Sequence, residues 1–149
     1  MVYVMRAAVG SDEPYNVAKF IVEELERRGI EVERYGSLKT NQPYPWPKVG
    51  FEVGKAVAEG RVNFGVVICY TGTGVCIAAN KVKGVRAALC VDAETARGAR
   101  LWNDANVLAI SARLTTEEVA KEILDAWLGV REIDPSETEN IRMISEFEG

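Results

Sequence analysis

The chain has 149 residues, of which 48% are hydrophobic and 27% charged, with a formal net charge of −4. This balance is typical of one globular domain over 1–149. Without a clustered basic run the chain is not expected to bind nucleic acid, and no apolar run approaches the roughly 20 residues of a membrane span.

Strand patterns and helical periodicities alternate along the chain, which predicts an α/β protein with a parallel sheet covered on both faces. Predicted strands cover 2–10, 30–35, 64–69, 84–90 and 106–110. Predicted helices cover 14–29, 49–60, 75–81, 92–101, 116–128 and 135–147, and the proline-rich stretch 36–47 is predicted as a loop. The strand at 30–35 alternates apolar and polar residues, which favours a place near the sheet edge.

The central stretch runs from Phe64 to Lys81. Phe64–Cys69 is an apolar run rich in β-branched residues, typical of a strand buried on both faces. Gly72 and Gly74 then break the strand before a short apolar helix start. This order predicts free backbone N–H groups around residues 71–75, where an anion or a developing oxyanion can bind.

Nucleotide binding is disfavoured at this turn. Ile77 stands where the dinucleotide motif needs a third small residue, and Val75 and Cys76 stand where a phosphate-binding loop has Lys and Ser or Thr. Cys69 lies at the carboxyl end of its strand, where open α/β sheets bind ligands. On the residues alone, a buried and inert cysteine stays the commoner alternative.

Three further features limit the chemistry. The cysteines lack C-x-x-C spacing, so we expect free thiols in a reducing cytoplasm, with Cys76 and Cys90 in the core. The chain has no histidine, which excludes imidazole catalysis and histidine metal sites. The segment 134–149 carries only a thin apolar stripe, so we expect its helix to pack on a partner subunit.

The run Ile68–Cys90, the block Asn103-Asp-Ala-Asn-Val-Leu-Ala109 and Arg113 together resemble the ribose-5-phosphate isomerase B family, which includes the galactose-6-phosphate isomerase subunits. The resemblance extends from Gly10-Ser-Asp12 to Trp127-Leu128-Gly129. It implies a Rossmann-like αβα sandwich that forms homodimers, some of which pair into tetramers. It also implies active sites between subunits, with no metal and no organic cofactor.

The reaction implied by the resemblance is aldose–ketose isomerisation through a cis-enediolate. Cys69 matches the family's base, and Thr71 matches a threonine implicated in ring opening. A helix N-terminus favours the thiolate of an adjacent cysteine, which agrees with this role. The family's sugar contacts match Asp12, Tyr44 and Asn103, and its oxyanion site matches the turn at Gly72, Thr73 and Gly74.

The chain departs from the family pattern where the substrate is recognised. Glu13 and Trp102 replace two histidines, Tyr70 replaces a glycine and narrows the pocket, and Trp46 replaces an aspartate. Ser136 and Asn140 stand where two arginines bind the substrate phosphate in the family.

Losing these cations disfavours a phosphate dianion in the usual place. We therefore expect a sugar or sugar derivative other than the usual 5- or 6-phosphate, one that arrives open-chain or has its ring opened by Thr71, Asp12, Glu13 or Tyr44. A sugar acid held by Arg113 and Arg100 is a variant of this hypothesis. The alternatives are a catalytically silent sugar-binding or partner subunit and, with no obvious resolving cysteine, a redox-sensing thiol protein.

Overall fold

Five parallel strands form the centre of the computed structural model, which describes residues 3–149. The strands are β1 Arg6–Ser11, β2 Glu31–Gly36, β3 Phe64–Cys69, β4 Ala87–Leu89 and β5 Val107–Ser111. Their order across the sheet is β2-β1-β3-β5-β4, and every pair is parallel. The predicted Rossmann-like αβα sandwich with a five-stranded parallel sheet is therefore confirmed, with β2 at one edge.

Helices cover both faces of the sheet. They are α1 Asn16–Arg27, α2 Ser37–Thr40, α3 Trp46–Ala58, α4 Thr73–Asn80, α5 Ala93–Asn103, α6 Glu117–Gly129 and α7 Thr138–Glu148. Helices α1, α5 and α6 share one hydrophobic core with the sheet, and α3 and α4 share the other. Within residues 3–149, none of the helices combines the length and the apolar character of a membrane span.

The middle strand, β3, is buried along its whole length. Its side chains alternate between the two cores, as strand geometry requires. Phe64, Val66 and Ile68 face α1, α5 and α6, whereas Val67 and Cys69 face α3 and α4. The strand thus delivers Cys69 to its carboxyl end on the α3–α4 side of the sheet.

Several predicted elements differ from the observed ones in extent. β1 begins at Arg6, and Val2 of its predicted span lies outside the described residues. The predicted strand 84–90 is observed only as Ala87–Leu89. Just before it, the amide of Arg86 donates a hydrogen bond to the side-chain oxygen of Asn106 at 2.7 Å and not to a neighbouring strand. A single helical turn, α2, lies inside the predicted loop 36–47. The last predicted helix begins as a 3₁₀ turn at Pro135–Glu137.

Candidate active site

The turn after β3 is held in a conformation that requires glycine. Gly72 has φ of +77°, and a Cβ there would lie 2.6 Å from Leu89 Cδ1 and 2.9 Å from the Ile110 carbonyl carbon. The carbonyl of Tyr70 accepts hydrogen bonds from the amide of Arg113 at 2.9 Å and from Ser111 Oγ at 3.1 Å. These bonds fix the turn to the end of β5 and so fix the start of α4.

Cys69 lies at the base of this turn with its sulfur engaged. The amide of Gly72 donates a hydrogen bond to Cys69 Sγ at 3.2 Å, which fixes the sulfur beside the start of α4. The residue is only 6% exposed, yet it lines an open cavity of about 280 Å³. The other lining residues are Asp12, Trp46, Tyr70, Thr71, Thr73 and Gly74. The thiol is therefore within reach of a small ligand.

The N-terminus of α4 faces the same turn. No side chain caps the helix, and the amides of Thr73, Gly74 and Val75 have no backbone acceptor outside the helix among residues 3–149. Thr71 Oγ1 and Thr73 Oγ1 lie 2.8 Å apart and form one hydrogen bond, in which either hydroxyl can be the donor. Unpaired amides and the helix dipole together favour negative charge at this point.

Asp12 lines the cavity and holds a carboxyl oxygen that lacks a hydrogen-bond partner in the described part of the chain. This oxygen, Oδ1, is buried. Burial raises the pKa of Asp12, the nearby Tyr15 hydroxyl opposes the rise, and the Glu13 carboxylate adds to it. The sequence did not single out Tyr15, whose pKa is raised by burial and then by Asp12.

Tyr44 and Glu13 flank the cavity without lining it. The hydroxyl of Tyr44 donates to Glu52 Oε2 at 2.7 Å, and this bond raises the pKa of Tyr44. Glu13 is exposed, and its carbonyl accepts from Ser11 Oγ at 2.5 Å. Either side chain can contact a substrate only if the ligand extends beyond the Cys69 cavity of a single subunit.

Trp46 joins the site although its neighbourhood was predicted as loop. It is the first residue of α3, and its ring lies against Gly74, where a Cβ would come within 2.9 Å of Trp46 Cε3. The ring remains 46% exposed. In the sequence, Trp46 was noted for replacing the family's aspartate. That replacement did not show where its ring would lie in the fold.

Trp102 and Asn103 lie at the opposite edge of the sheet from Cys69. They end α5, which starts after β4 at the carboxyl edge and runs back to the amino edge. Asn103 lines a separate cavity with Arg86 and Ala105, and Trp102 packs on Gly98 beneath the Arg97 guanidinium at 5.4 Å. Arg100 shares this helix. One subunit therefore does not bring these residues to the thiol.

The residues at the family's phosphate-binding positions satisfy each other locally. Asp134 Oδ1 accepts from the amide of Ser136 at 3.0 Å and from Ser136 Oγ at 2.8 Å, which lowers the pKa of Asp134. Asn140 Nδ2 donates to Glu137 Oε2 at 2.7 Å. Asp134 caps the 3₁₀ turn before the last helix, and Ser136 and Asn140 are bonded to neighbouring acidic side chains and carry no positive charge.

The other two cysteines differ from Cys69 in their surroundings. Cys90 is fully buried, and burial raises its pKa to about 12, which confirms the expectation that it belongs to the core. Cys76 is half-buried beneath β4, and burial raises its pKa as well. All three thiols are free, so Cys69 is the one that combines a cavity with an amide donor.

The five-stranded parallel sheet with helices on both faces defines a Rossmann-like α/β protein, and a thiol and unpaired amides lie at the carboxyl end of its middle strand. The model of the Ribose/Galactose Isomerase family matches residues 7–144. The chain belongs to this family and is an isomerase.

Individual relatives support this assignment. The chain is 41% identical over 127 residues to ribose-5-phosphate isomerase B of Escherichia coli, covering 85% of both proteins. It is 37% identical over 126 residues to D-erythrulose-4-phosphate isomerase of Pectobacterium atrosepticum, covering 84% of this chain and 83% of that relative. The structure of Clostridium thermocellum ribose-5-phosphate isomerase B superposes with a TM-score of 0.90 at 39% identity over 97% of both chains.

Proposed function

We propose that the protein is a cofactor-independent aldose–ketose isomerase in which Cys69 is the base. The observation that carries the proposal is the hydrogen bond from the Gly72 amide to Cys69 Sγ, inside a cavity that also contains the start of α4. A positioned base contributes about 10²–10⁴-fold to such a reaction. Donors at the oxyanion contribute about 10²–10³-fold.

The proton moves between neighbouring carbons. With an aldose, the thiolate removes the C2 proton, the C–H electron pair becomes the C1–C2 double bond, and the carbonyl oxygen O1 takes the negative charge. The amides of Thr73, Gly74 and Val75 stabilise this cis-enediolate. The O2 hydroxyl then passes its proton to O1 while the thiol returns a proton to C1, which leaves the ketose and the original thiolate.

The substrate in this proposal is an open-chain sugar or sugar derivative without the usual 5- or 6-phosphate. No arginine or lysine of the described residues lines the Cys69 cavity, and Ser136 and Asn140 donate to the neighbouring carboxylates of Asp134 and Glu137. Opening a sugar ring needs acid–base groups, and the chain has no histidine to provide one.

One relative supports an open-chain substrate. The Pectobacterium atrosepticum protein is named D-erythrulose-4-phosphate isomerase. A four-carbon sugar phosphorylated at O4 has no hydroxyl left to close a five-membered ring, so no ring opening is needed. Its phosphate also lies one carbon closer to the reacting centre than that of a pentose 5-phosphate.

The proposal includes a homodimer with the active site between subunits. Trp102 and Asn103 reach Cys69 only if a second copy brings the end of its α5 to this edge. The helix α7, within the segment 134–149, has no buried residue, and Phe147 is 97% exposed. An unpartnered apolar stripe of this kind fits a helix that packs on the neighbouring subunit, and three free thiols fit a cytoplasmic location.

Proton exchange in D₂O tests the chemistry directly. The protein is incubated with erythrose 4-phosphate, erythrulose, ribose 5-phosphate, other sugars and sugar acids, and exchange at C1 and C2 is followed by NMR. We expect exchange with an open-chain substrate, abolished in Cys69→Ala and retained in the matched control Cys76→Ala. Binding without exchange for every compound would contradict catalysis, and a preference for ribose 5-phosphate would contradict the substrate assignment alone.

A further inference from the structure

A second and larger cavity, of about 620 Å³, opens at the amino edge of the sheet. It lies where β1 and β3 begin and where α1 and α6 end, and its lining includes Phe64, Trp127 and three arginines, Arg28, Arg100 and Arg131. Phe64 is the first residue of β3, and Cys69 is the last. The two cavities are therefore separated by the length of β3, about 17 Å.

Arg100 carries an unpaired donor in this cavity. Its guanidinium lies 5.0 Å from the centre of the Trp127 ring, and Nη1 donates to the carbonyl of Ala105 at 2.7 Å. Its Nε atom is buried without a hydrogen-bond partner, and no carboxylate among residues 3–149 forms an ion pair with it. Burial lowers the pKa of Arg100, and the nearby Asp104 carboxylate opposes this shift without forming an ion pair.

Trp127 supplies a second unpaired donor. Its side chain is only 1% exposed, and its indole Nε1 has no acceptor in the described part of the chain. Buried polar groups are hydrogen-bonded in the great majority of cases. Two neighbouring residues of one cavity wall thus each hold a buried N–H group that lacks an acceptor.

The charge of the cavity is positive. Arg28 is neutralised by Glu24 at 2.8 Å and Asp125 at 2.6 Å. Arg131 is exposed and has no ion pair among the described residues, and none of the lining residues is acidic. The C-terminal ends of α1 and α6 also lie here, and the arginines compensate the partial negative charge of these helix ends. This charge compensation does not provide a hydrogen-bond acceptor for Arg100 Nε or Trp127 Nε1.

We propose that this cavity binds a small organic anion. After a small side-chain movement that exposes the buried N–H groups of Arg100 and Trp127 to the cavity, a carboxylate or phosphate group would accept hydrogen bonds from them and pair with Arg131. An apolar body would lie against Phe64. The volume admits more than an inorganic ion, since small-molecule sites begin at about 300 Å³. The site is distinct from the Cys69 cavity and does not depend on the isomerase mechanism.

The indole N–H resonance of Trp127 reports on binding. The ¹⁵N-labelled protein is titrated with potassium phosphate and, separately, with citrate, at an ionic strength held constant with chloride. The three indole signals are assigned with Trp46→Phe and Trp102→Phe, both at partly exposed positions. We expect a saturable downfield shift of the Trp127 signal with at least one of the two anions. No shift with either anion would overturn the proposal.

Charge-matched variants separate a site from general screening. Arg131→Gln removes an exposed guanidinium and should weaken binding about tenfold, as expected for a charge-assisted bond. Lys39→Gln removes one positive charge from an exposed position on α2 and should leave binding unchanged. Equal weakening in both variants would overturn the proposal. Cys69→Ala should not alter the titration, so this result is independent of the catalytic one.

Discussion

The amide of Gly72 donates to the sulfur of Cys69 across 3.2 Å, and this bond joins the end of β3 to the start of α4. The bond exists because Gly72 adopts φ of +77°, which turns its N–H back toward the strand. The same turn brings Thr73 and Gly74, the first residues of α4, into the wall of the cavity. The glycine turn therefore places the proposed oxyanion donors beside the proposed base.

Substitution of Gly72 should lower the free energy of unfolding by more than left-handed backbone strain alone would. We expect Gly72→Ala to cost about 3 kcal/mol or more, because its Cβ would overlap Leu89 and Ile110 in addition to the conformational penalty. Gly60→Ala is the matched control, since Gly60 has φ of +75° and a Cβ added there would have no atom within 4 Å. That variant should lose only about 1–2 kcal/mol. Urea unfolding compares the two variants, and equal losses would contradict the steric argument.

Asp12→Asn should stabilise the protein while reducing its activity. The pKa of Asp12 is raised mainly by burial, so its ionised form is less favourable in the folded chain than in the unfolded one. Near neutral pH the ionised group therefore lowers stability, and the neutral amide removes that cost. We expect a rise in Tm of about 2–4 °C.

The pH dependence of this gain distinguishes ionisation from packing. The gain should shrink as the pH falls through the folded-state pKa of Asp12 and vanish below the ordinary value of 3.8, where the carboxyl group is neutral in both the folded and the unfolded chain. Asp134→Asn is the control, because hydrogen bonds from Ser136 lower the pKa of Asp134 and its ionised form is the favoured one. That substitution should give no gain, and a gain from Asp12→Asn that persists in acid would exclude the electrostatic explanation.

Glu24→Gln should destabilise the protein near neutral pH. Glu24 is buried, and hydrogen bonds from Arg27 at 2.5 Å and from Arg28 lower its pKa from 4.5 to about 2. A lowered pKa stabilises the fold above the unfolded-state value, and this stability is lost as the pH falls through about 2. Allowing for solvent at the exposed Arg27, we expect a loss of about 2 kcal/mol.

Denaturant unfolding at neutral and at strongly acid pH checks this loss. The difference between the native chain and Glu24→Gln should shrink as the pH approaches about 2, because the native carboxylate is then being protonated. Glu23→Gln removes a neighbouring exposed carboxylate and should have little effect at any pH. A pH-independent difference would show that the substitution acts through packing.

Local sequence was sufficient to predict the centre of the site. The apolar run Phe64–Cys69 matches β3 at both ends, because a continuous β-branched run bounded by a glycine turn has no competing helical pattern. The helix start at α4 followed from the same glycines. By contrast, α2 is a four-residue turn, too short to show a helical period, and it was missed inside the proline-rich loop.

Long-range placement was not available from the pattern. Trp46 reaches the cavity because α3 begins earlier than its apolar spacing suggests, and its ring then falls beside Gly74. Tyr15 approaches Asp12 through the turn before α1, where no periodicity constrains side chains. Trp102 and Asn103 lie across the sheet from Cys69, and the local residue pattern does not show which part of a second copy would approach the thiol.

Subunit complementation tests whether Asn103 completes the Cys69 site from a second copy. Cys69→Ala and Asn103→Ala should each be nearly inactive alone. Refolded together in equal amounts, half of the dimers are mixed, and each mixed dimer has one site with both residues intact. We therefore expect recovery of about a quarter of the native activity, as follows from a two-fold symmetric dimer. Mixing Cys69→Ala with Thr71→Val is the control and should restore nothing, because both residues belong to the same side of the site. If the first mixture also stays inactive while mass spectrometry shows mixed dimers, Asn103 does not complete the Cys69 site from the neighbouring subunit.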